Sequence, residues 1–240
     1  LSSPEIVHPE SFEKILKQKE SLLREYCSIL ASYSGKVRLT GPSDPDILWN
    51  EHILDCCNAF SFLPEEGRVL DLGTGGGLPG IVWAICRPDL EVHLLDSIQK
   101  KCTALEQIVE TLSLKNVKVL CSRSEELAKT SREHYHMVAA RAVTSTGVLI
   151  EYMAPLVKPG GIAFALKGPA YTDETDGLKE RWSVLGFSSP RIWKYNLGSS
   201  THYILVWDKL KPCPAGLPRR PGMAEKKPWW RCNLDHTGND

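Results

Sequence analysis

The sequence contains no Cys-x-x-Cys pair, no excess charge of either sign, no internal repeat and no apolar run long enough to cross a bilayer. Each absence excludes something. Without paired spacing, the eight cysteines (Cys27, Cys56, Cys57, Cys86, Cys102, Cys121, Cys213 and Cys232) do not outline a zinc site or a disulfide framework. Most fall inside apolar helix or strand patterns and read as reduced core residues, which points to the cytoplasm. A formal net charge of +0 means that the molecule as a whole does not attract nucleic acid, so any such binding comes from local patches. The lack of a long apolar run argues against a membrane span, and no signal-peptide pattern opens the chain at Leu1. What remains, over 240 residues, suits one α/β domain with appendages.

The chain is organised around Arg68-Val-Leu-Asp-Leu-Gly-Thr-Gly-Gly-Gly-Leu-Pro-Gly80. An apolar strand carries Asp71 near its end and runs into Gly73, Gly75, Gly76 and Gly77, and Leu78, Pro79 and Gly80 then open a helix. A glycine loop between a strand and a helix is the ligand-side loop of a Rossmann-like sheet, because glycine lets a ligand lie against bare backbone. Gly75-x-Gly77-x-x-Gly80 also fits the dinucleotide pattern. Two features disfavour a phosphate. Pro79 removes an N–H at the helix start, and Asp71 brings a carboxylate to the loop. A ligand with a cationic amino-acid end and an adenosine fits better, namely S-adenosylmethionine. The next strand, Glu91-Val-His-Leu-Leu-Asp96, ends in an acid about 20 residues past the glycines, where a carboxylate grips ribose hydroxyls.

Upstream, Phe12, Ile15, Leu16, Leu22, Leu23, Tyr26, Ile29 and Leu30 recur at helical spacing, and a further helix runs from Asp46 to about Phe60. Residues 1–64 are therefore expected to form a helical cap. Residues 65–208 are expected to form the ligand-binding domain, with strands near 68–73, 91–96, 117–121, 136–141, 161–167, 190–196 and 202–208. The alternation with helices predicts a seven-stranded, mostly parallel sheet, and the short Asn196-Leu-Gly-Ser-Ser200 connection predicts an antiparallel hairpin at its end. That is the layout of a class I S-adenosylmethionine-dependent methyltransferase. Residues 209–240 form a basic, proline-rich tail in which Lys209, Lys211, Arg219, Arg220, Lys226, Lys227 and Arg231 outnumber Glu225 up to Cys232. The composition predicts an extended segment, either a solvated tail or an arm on RNA phosphates with Trp229 and Trp230 stacking on bases.

The methyl acceptor is read near the end of the fourth strand. Val138-Ala-Ala-Arg-Ala-Val-Thr144 offers no cysteine for attack on a pyrimidine carbon, and the Asn/Asp-Pro-Pro-aromatic turn used for exocyclic amines is absent. Arg141 stands there instead, a planar donor suited to a purine edge or a phosphate. Guanine N7 attacks with a lone pair and needs positioning but no general base. Lys167, at a strand end, is expected to contact substrate. His52 is either a packed histidine or part of an RNA site. Lys100 and Lys101 face the cofactor or solvent. No metal site is expected.

Asp71-Leu-Gly-Thr-Gly-x-Gly-Leu-Pro-Gly80, Leu95-Asp-Ser97 with Lys100, Ser122-Arg-x-Glu-Glu126, Ala140-Arg-Ala142 and Leu166-Lys-Gly168 resemble the glucose-inhibited division protein B family of bacterial 16S ribosomal RNA guanine-N7 methyltransferases. His52-Ile-Leu-Asp55 and the Pro218-Arg-Arg-Pro-Gly222 region extend the resemblance over most of the chain. It implies S-adenosylmethionine as cofactor, bound by Gly73, Leu78, Ser124, Glu125 and Arg141, beside Asp71, Gly75, Gly77 and Asp96 from the residue reading. It further implies a monomer that methylates a specific guanine in 16S ribosomal RNA or the small ribosomal subunit. Family members often carry Asn-Leu-Thr where this chain has Arg38-Leu-Thr40, so the role of that Asn passes to another residue here. A methyltransferase of another RNA or of a small molecule, a Rossmann oxidoreductase and a non-catalytic RNA-binding module remain open at this point.

Overall fold

A computed structural model describes residues 11–178 and 181–231. The sheet strands are β1 (Arg68–Leu72), β2 (Glu91–Asp96), β3 (Val117–Cys121), β4 (Tyr135–Arg141), β5 (Val157–Lys167), β6 (Arg191–Leu197) and β7 (Ser200–Asp208). The helices are α1 (Ser11–Ser32), α2 (Pro45–Ile47), α3 (Leu54–Cys57), α4 (Gly80–Cys86), α5 (Gln99–Thr111), α6 (Ser124–Thr130), α7 (Thr146–Met153), α8 (Tyr171–Asp176) and α9 (Met223–Lys226). Between α2 and α3 the chain continues as a π-helical stretch, Leu48–Ile53. None of these helices is long and apolar enough to cross a membrane.

The seven strands lie in the order β3-β2-β1-β4-β5-β7-β6. The first five strands of the chain pair in parallel, whereas β7 runs antiparallel to both β5 and β6. Right-handed crossovers place β2 on one side of β1 and β4 on the other, so a crevice opens at the carboxyl ends of β1 and β4, the switch point at which such sheets bind ligands. Every predicted strand is present. The alternation of side chains sorts the strands' apolar residues into two cores. Val69, Val92, Met137, Phe164 and Val206 face α1, α3, α4 and α5. Leu70, Leu95, Val138, Ala165 and Leu205 face α6, α7 and the C-terminal segment. The helical cap joins the first core, with Leu23, Tyr26 and Leu30 of α1 buried beside Ile81 and Ile85 of α4.

The expectation for the C-terminal segment requires correction over residues 209–231, while 232–240 lie outside the described residues. Leu217, Ala224 and Trp229 are buried in the second core, and Trp229 has no exposed surface. Its indole N–H donates to the Gly147 carbonyl at 2.8 Å. Trp230 lies close over Gly147, where a Cβ would come within 2.5 Å of its ring. Neither indole is arranged as an open stacking platform. Polar groups of the segment are also satisfied inward. Arg219 makes a two-pronged pair with Glu151, at 2.6 and 2.5 Å, and the ammonium of Lys209 donates to the Ala154 and Leu185 carbonyls, at 2.9 and 2.8 Å. Burial pushes the Lys209 pKa down to about 8. Average composition misjudged this stretch because three apolar side chains, spaced so that prolines and charges fall between them, are enough to pin it.

Truncating Trp229 to alanine is accordingly expected to cost about 3–5 kcal/mol of stability, the range for a large aromatic removed from a core. Urea unfolding followed by near-UV circular dichroism measures it, and a cost near zero would restore the reading of a bystander tail.

Candidate functional site

The loop after β1 is held from beneath by Asp71. The side chain has no solvent exposure, and its Oδ2 accepts from the Thr74 hydroxyl at 2.6 Å and from the Gly80 amide at 2.8 Å. Oδ1 is buried without a partner among the described residues. Burial raises the Asp71 pKa to about 6, against the lowering effect of these two hydrogen bonds and of Arg141. From above, the cap reaches down, and the buried Tyr26 hydroxyl donates to the Gly76 carbonyl at 2.7 Å. Gly73 has φ +70° and no room for a Cβ, which would lie 2.7 Å from Val143.

The amides of this loop are largely spent on the protein itself. Gly73 and Thr74 donate to the Leu95 carbonyl, Gly77 and Leu78 to the Thr74 carbonyl, and Ile81 to the Gly77 carbonyl. Gly75 donates to Asp96 Oδ2 at 3.1 Å. A pyrophosphate site requires free amides converging at a helix start. Here α4 begins with its amides occupied and a carboxylate directly beneath. The loop therefore favours a cationic ligand, and the Rossmann oxidoreductase reading loses its anchor.

The sequence placed Asp71 in direct contact with the ligand; the structure places it under the loop, shaping it. Asp96 stands at the rim, 7% exposed, with Oδ1 accepting from the Ile98 amide at 3.0 Å and Lys101 Nζ 3.7 Å from Oδ2. A carboxylate has lone pairs to spare for ribose hydroxyls beside such partners. Beyond it lies a cavity of about 220 Å³ lined by Leu72, Leu95, Asp96, Ser124, Glu125 and Val143, with Tyr152 and Glu225 at its edge. The Glu125 carboxylate is already engaged: Oε1 accepts from the Gly222 amide at 3.1 Å and Oε2 from the Ser124 hydroxyl at 3.0 Å.

On the other side of Gly73 a larger crevice of about 950 Å³ is lined by the glycine loop, Leu78, Thr40, His52, Asp55, Arg141 and His202. Gly73 borders both cavities. Arg141 enters the crevice from the end of β4. Its NH1 donates to Asp55 Oδ2 at 3.2 Å and to His52 Nδ1 at 3.0 Å. Asp55, 3% exposed, also accepts on Oδ1 from the Tyr195 hydroxyl at 2.5 Å and lies 3.7 Å from His202 Nδ1. His52 lines the crevice and bonds Arg141, not a carbonyl. It is a hydrogen-bond acceptor for Arg141, so the ring is neutral with its proton on Nε2. Burial, followed by the Arg141 charge, lowers its pKa to about 4.

Lys167 lines the larger crevice, but its ammonium is engaged by the protein. Its side chain is 7% exposed and its ammonium donates to the Thr144 carbonyl at 2.6 Å and to Glu174 Oε2 at 2.7 Å. Glu174 in turn accepts from the amide and hydroxyl of Thr146. The lysine thus ties the end of β5 to the loop after β4 and to α8. Arg38 is exposed, while Leu39 and Thr40 turn toward the crevice. Asp55, Tyr195 and His202 were missed as functional residues. The signal for Asp55 was its i, i+3 spacing from His52, which places both on one helix face; nothing in sequence ties Tyr195 to them.

Comparison with known proteins now has a geometry to explain. Curated relatives named ribosomal RNA small subunit methyltransferase G include that of Moorella thermoacetica, 34% identical over 214 residues covering 87% of this chain and 89% of the relative. That of Alkaliphilus metalliredigens is 37% identical over 212 residues, covering 86% and 89%. Among solved structures, a variant of the 16S rRNA (adenine(1408)-N(1))-methyltransferase from Catenulisporales acidiphilia with cosubstrate SAM superposes with a TM-score of 0.51 at 17% identity, over 61% of this chain and 86% of that one. An S-adenosylmethionine-dependent methyltransferase from Aquifex aeolicus gives 0.50 at 18%, over 68% and 93%. At such identities these two show a shared fold, that of class I methyltransferases. The family profile described as GidB, rRNA small subunit methyltransferase G, matches residues 19–201. With its glycine loop, its two rim cavities and this match, the chain belongs to the rRNA small subunit methyltransferase G family.

Proposed function

We propose that the protein transfers a methyl group to N7 of a guanine in small-subunit ribosomal RNA. When bound, S-adenosylmethionine supplies a methyl group on a positively charged sulfur, ready for attack by a lone pair. The glycine loop accepts its amino-acid end, Asp96 holds its ribose hydroxyls, and Ser124 and Glu125 flank its adenine. Arg141 presents its remaining guanidinium N–H groups to the crevice, where they can orient a purine edge.

The observation that carries the N7 assignment is that the side chains grouped around Arg141 are already engaged by the protein. His52 accepts from Arg141, Asp55 accepts from Arg141 and Tyr195, and Lys167 donates to Glu174. None of the residues lining the crevice is a cysteine, and the neighbouring Cys56 is buried with its thiol pKa raised well above the usual range by that burial. A pyrimidine carbon that needs a thiolate finds none in the crevice lining, and an acceptor that must lose a proton finds the groups around Arg141 already engaged. Guanine N7 requires neither.

Three outcomes are expected. Asp96→Asn should weaken S-adenosylmethionine binding by about 1.5–3 kcal/mol, the worth of charge-assisted hydrogen bonds, with the fold intact by circular dichroism; unchanged affinity in calorimetry would remove Asp96 from the site. Cofactor affinity should fall as the pH drops through about 6, the Asp71 value. The sign follows because a cationic ligand favours the ionised carboxylate, so the bound state has the lower pKa and binding releases protons in this window. Titrations at two pH values on either side, in buffers of different ionisation heat, measure both effects.

The third concerns the chemical step. In single-turnover methyl transfer to small-subunit RNA with saturating cofactor, the wild-type rate should stay nearly flat between about pH 6 and pH 9, since neither guanine N7 nor arginine titrates there. Arg141→Lys keeps the charge but loses the planar fork, so its rate should fall well beyond any loss of cofactor affinity. A bell-shaped wild-type profile would demand a general base and a different acceptor atom, and mapping of the modified nucleotide identifies it directly.

A further inference from the structure

The smaller rim cavity is built in part by the C-terminal segment, which the sequence assigned to solvent or to RNA. Gly222 is anchored to Glu125 through its amide, Ala224 is buried in the second core at 3% exposure, and the one-turn α9 between them sets Glu225 at the cavity's mouth. There the hydroxyl of Tyr152, on α7, donates to Glu225 Oε1 at 3.3 Å. Leu72, Leu95 and Val143 give the cavity apolar lining, suited to an aromatic ring. Its carboxylates fall into those already spent and one that is not. Asp96 is occupied with Gly75, Ile98 and the ribose position, and both oxygens of Glu125 are taken by Gly222 and Ser124. Glu225 keeps Oε2 without a protein partner among the hydrogen bonds of the described residues.

An adenine ring seated over this wall carries one strong donor, its exocyclic amine, on the edge remote from the ribose. With the ribose at Asp96 that edge lies on the side remote from Asp96, and Tyr152 of α7 and Glu225 of α9 are among the residues that line the cavity. We propose that the C-terminal segment completes the cofactor pocket and that Glu225, oriented by Tyr152, accepts the hydrogen bond of the adenine amine. The proposal rests on S-adenosylmethionine being the cofactor. It gives the segment a role that its basic composition conceals: Arg219 and Trp229 dock it on the second core, and the docked turn delivers a carboxylate that reads the base.

The test separates the two claims by using ligands that differ only at the amine. S-adenosylhomocysteine and its purine-riboside analogue, in which hydrogen replaces the amine and the ring nitrogens are unchanged, are titrated into the full-length protein and into Glu225→Ala and Glu225→Gln. Wild type should bind the adenosyl compound about tenfold or more tightly than the analogue, since the carboxylate then loses its hydrogen-bond donor. Glu225→Ala should reduce that preference to near unity, chiefly by weakening the adenosyl compound. Glu225→Gln, which keeps an acceptor oxygen, should retain most of it. Because Glu225 is exposed, its removal leaves the core intact, and thermal unfolding of the ligand-free variants serves as the control. A preference undiminished in Glu225→Ala, or absent in wild type while both compounds bind, overturns the assignment of Glu225. Wild type binding neither compound overturns the cofactor reading itself.

Discussion

The site depends on a carboxylate that has been taken out of water. Asp71 is fully buried at the end of the central strand, and one of its oxygens holds both the start of the glycine loop, through Thr74, and its end, through Gly80. Keeping an ionised carboxylate there is costly unless hydrogen bonds and neighbouring cations compensate. The two donors and the distant Arg141 do so only in part, and the carboxyl pKa stays raised, at about 6. The loop is thereby pre-folded with its amides satisfied and a negative potential under it. This one arrangement explains both why a phosphate is unwelcome and why a ligand bearing positive charge gains by arriving.

The acceptor side of the crevice is organised by a second buried acid. Asp55 comes from the helical cap, Arg141 from the end of β4, and Tyr195 and His202 from the antiparallel strands β6 and β7. An isolated arginine so far from water would be expensive, and truncating either partner of a buried pair usually costs more than the pair is worth. What the pair supplies is orientation. With NH1 committed to Asp55 and His52, the guanidinium plane is fixed and its other edge is directed by the protein. The sheet's last hairpin takes part in this network, because Tyr195 of β6 donates to Asp55 and His202 of β7 lies beside it.

How much of this was legible in the sequence follows from the range of the interactions. Strand periodicity and the glycine loop are local, and so all seven strands and the strand-end placement of Asp71 and Asp96 could be read directly, whereas Ser124 and Glu125 came from the family resemblance. Partnerships could not. Asp55 and Arg141 are 86 residues apart, and Tyr195 is 140 from Asp55; no spacing rule connects them. Lys167 shows the same limit from the other side. A lysine at a strand's carboxyl end is on the functional rim, but whether it faces the crevice or turns to Glu174, seven residues on, is decided by the path of the loop after β5. The C-terminal segment was misjudged for a related reason: burial acts on individual side chains such as Trp229, whereas an extended tail was inferred from an average.

The two buried acids divide the crevice into halves with different tolerance for change. On the cofactor side, the loop closes on itself and on the cap through Tyr26, so its geometry is fixed by the protein's own hydrogen bonds. On the acceptor side, the cap, β4 and the terminal hairpin meet at Asp55, and a shift of any one of them moves the guanidinium. A reaction that needs no proton transfer leaves placement as the protein's main lever on rate. An error of an ångström in Arg141 therefore costs what the loss of a general base would cost elsewhere. The chain accordingly invests its buried charge where placement is decided and lets the surface remain electrically neutral overall, which leaves affinity for RNA to local contacts around the crevice rather than to the field of the whole molecule.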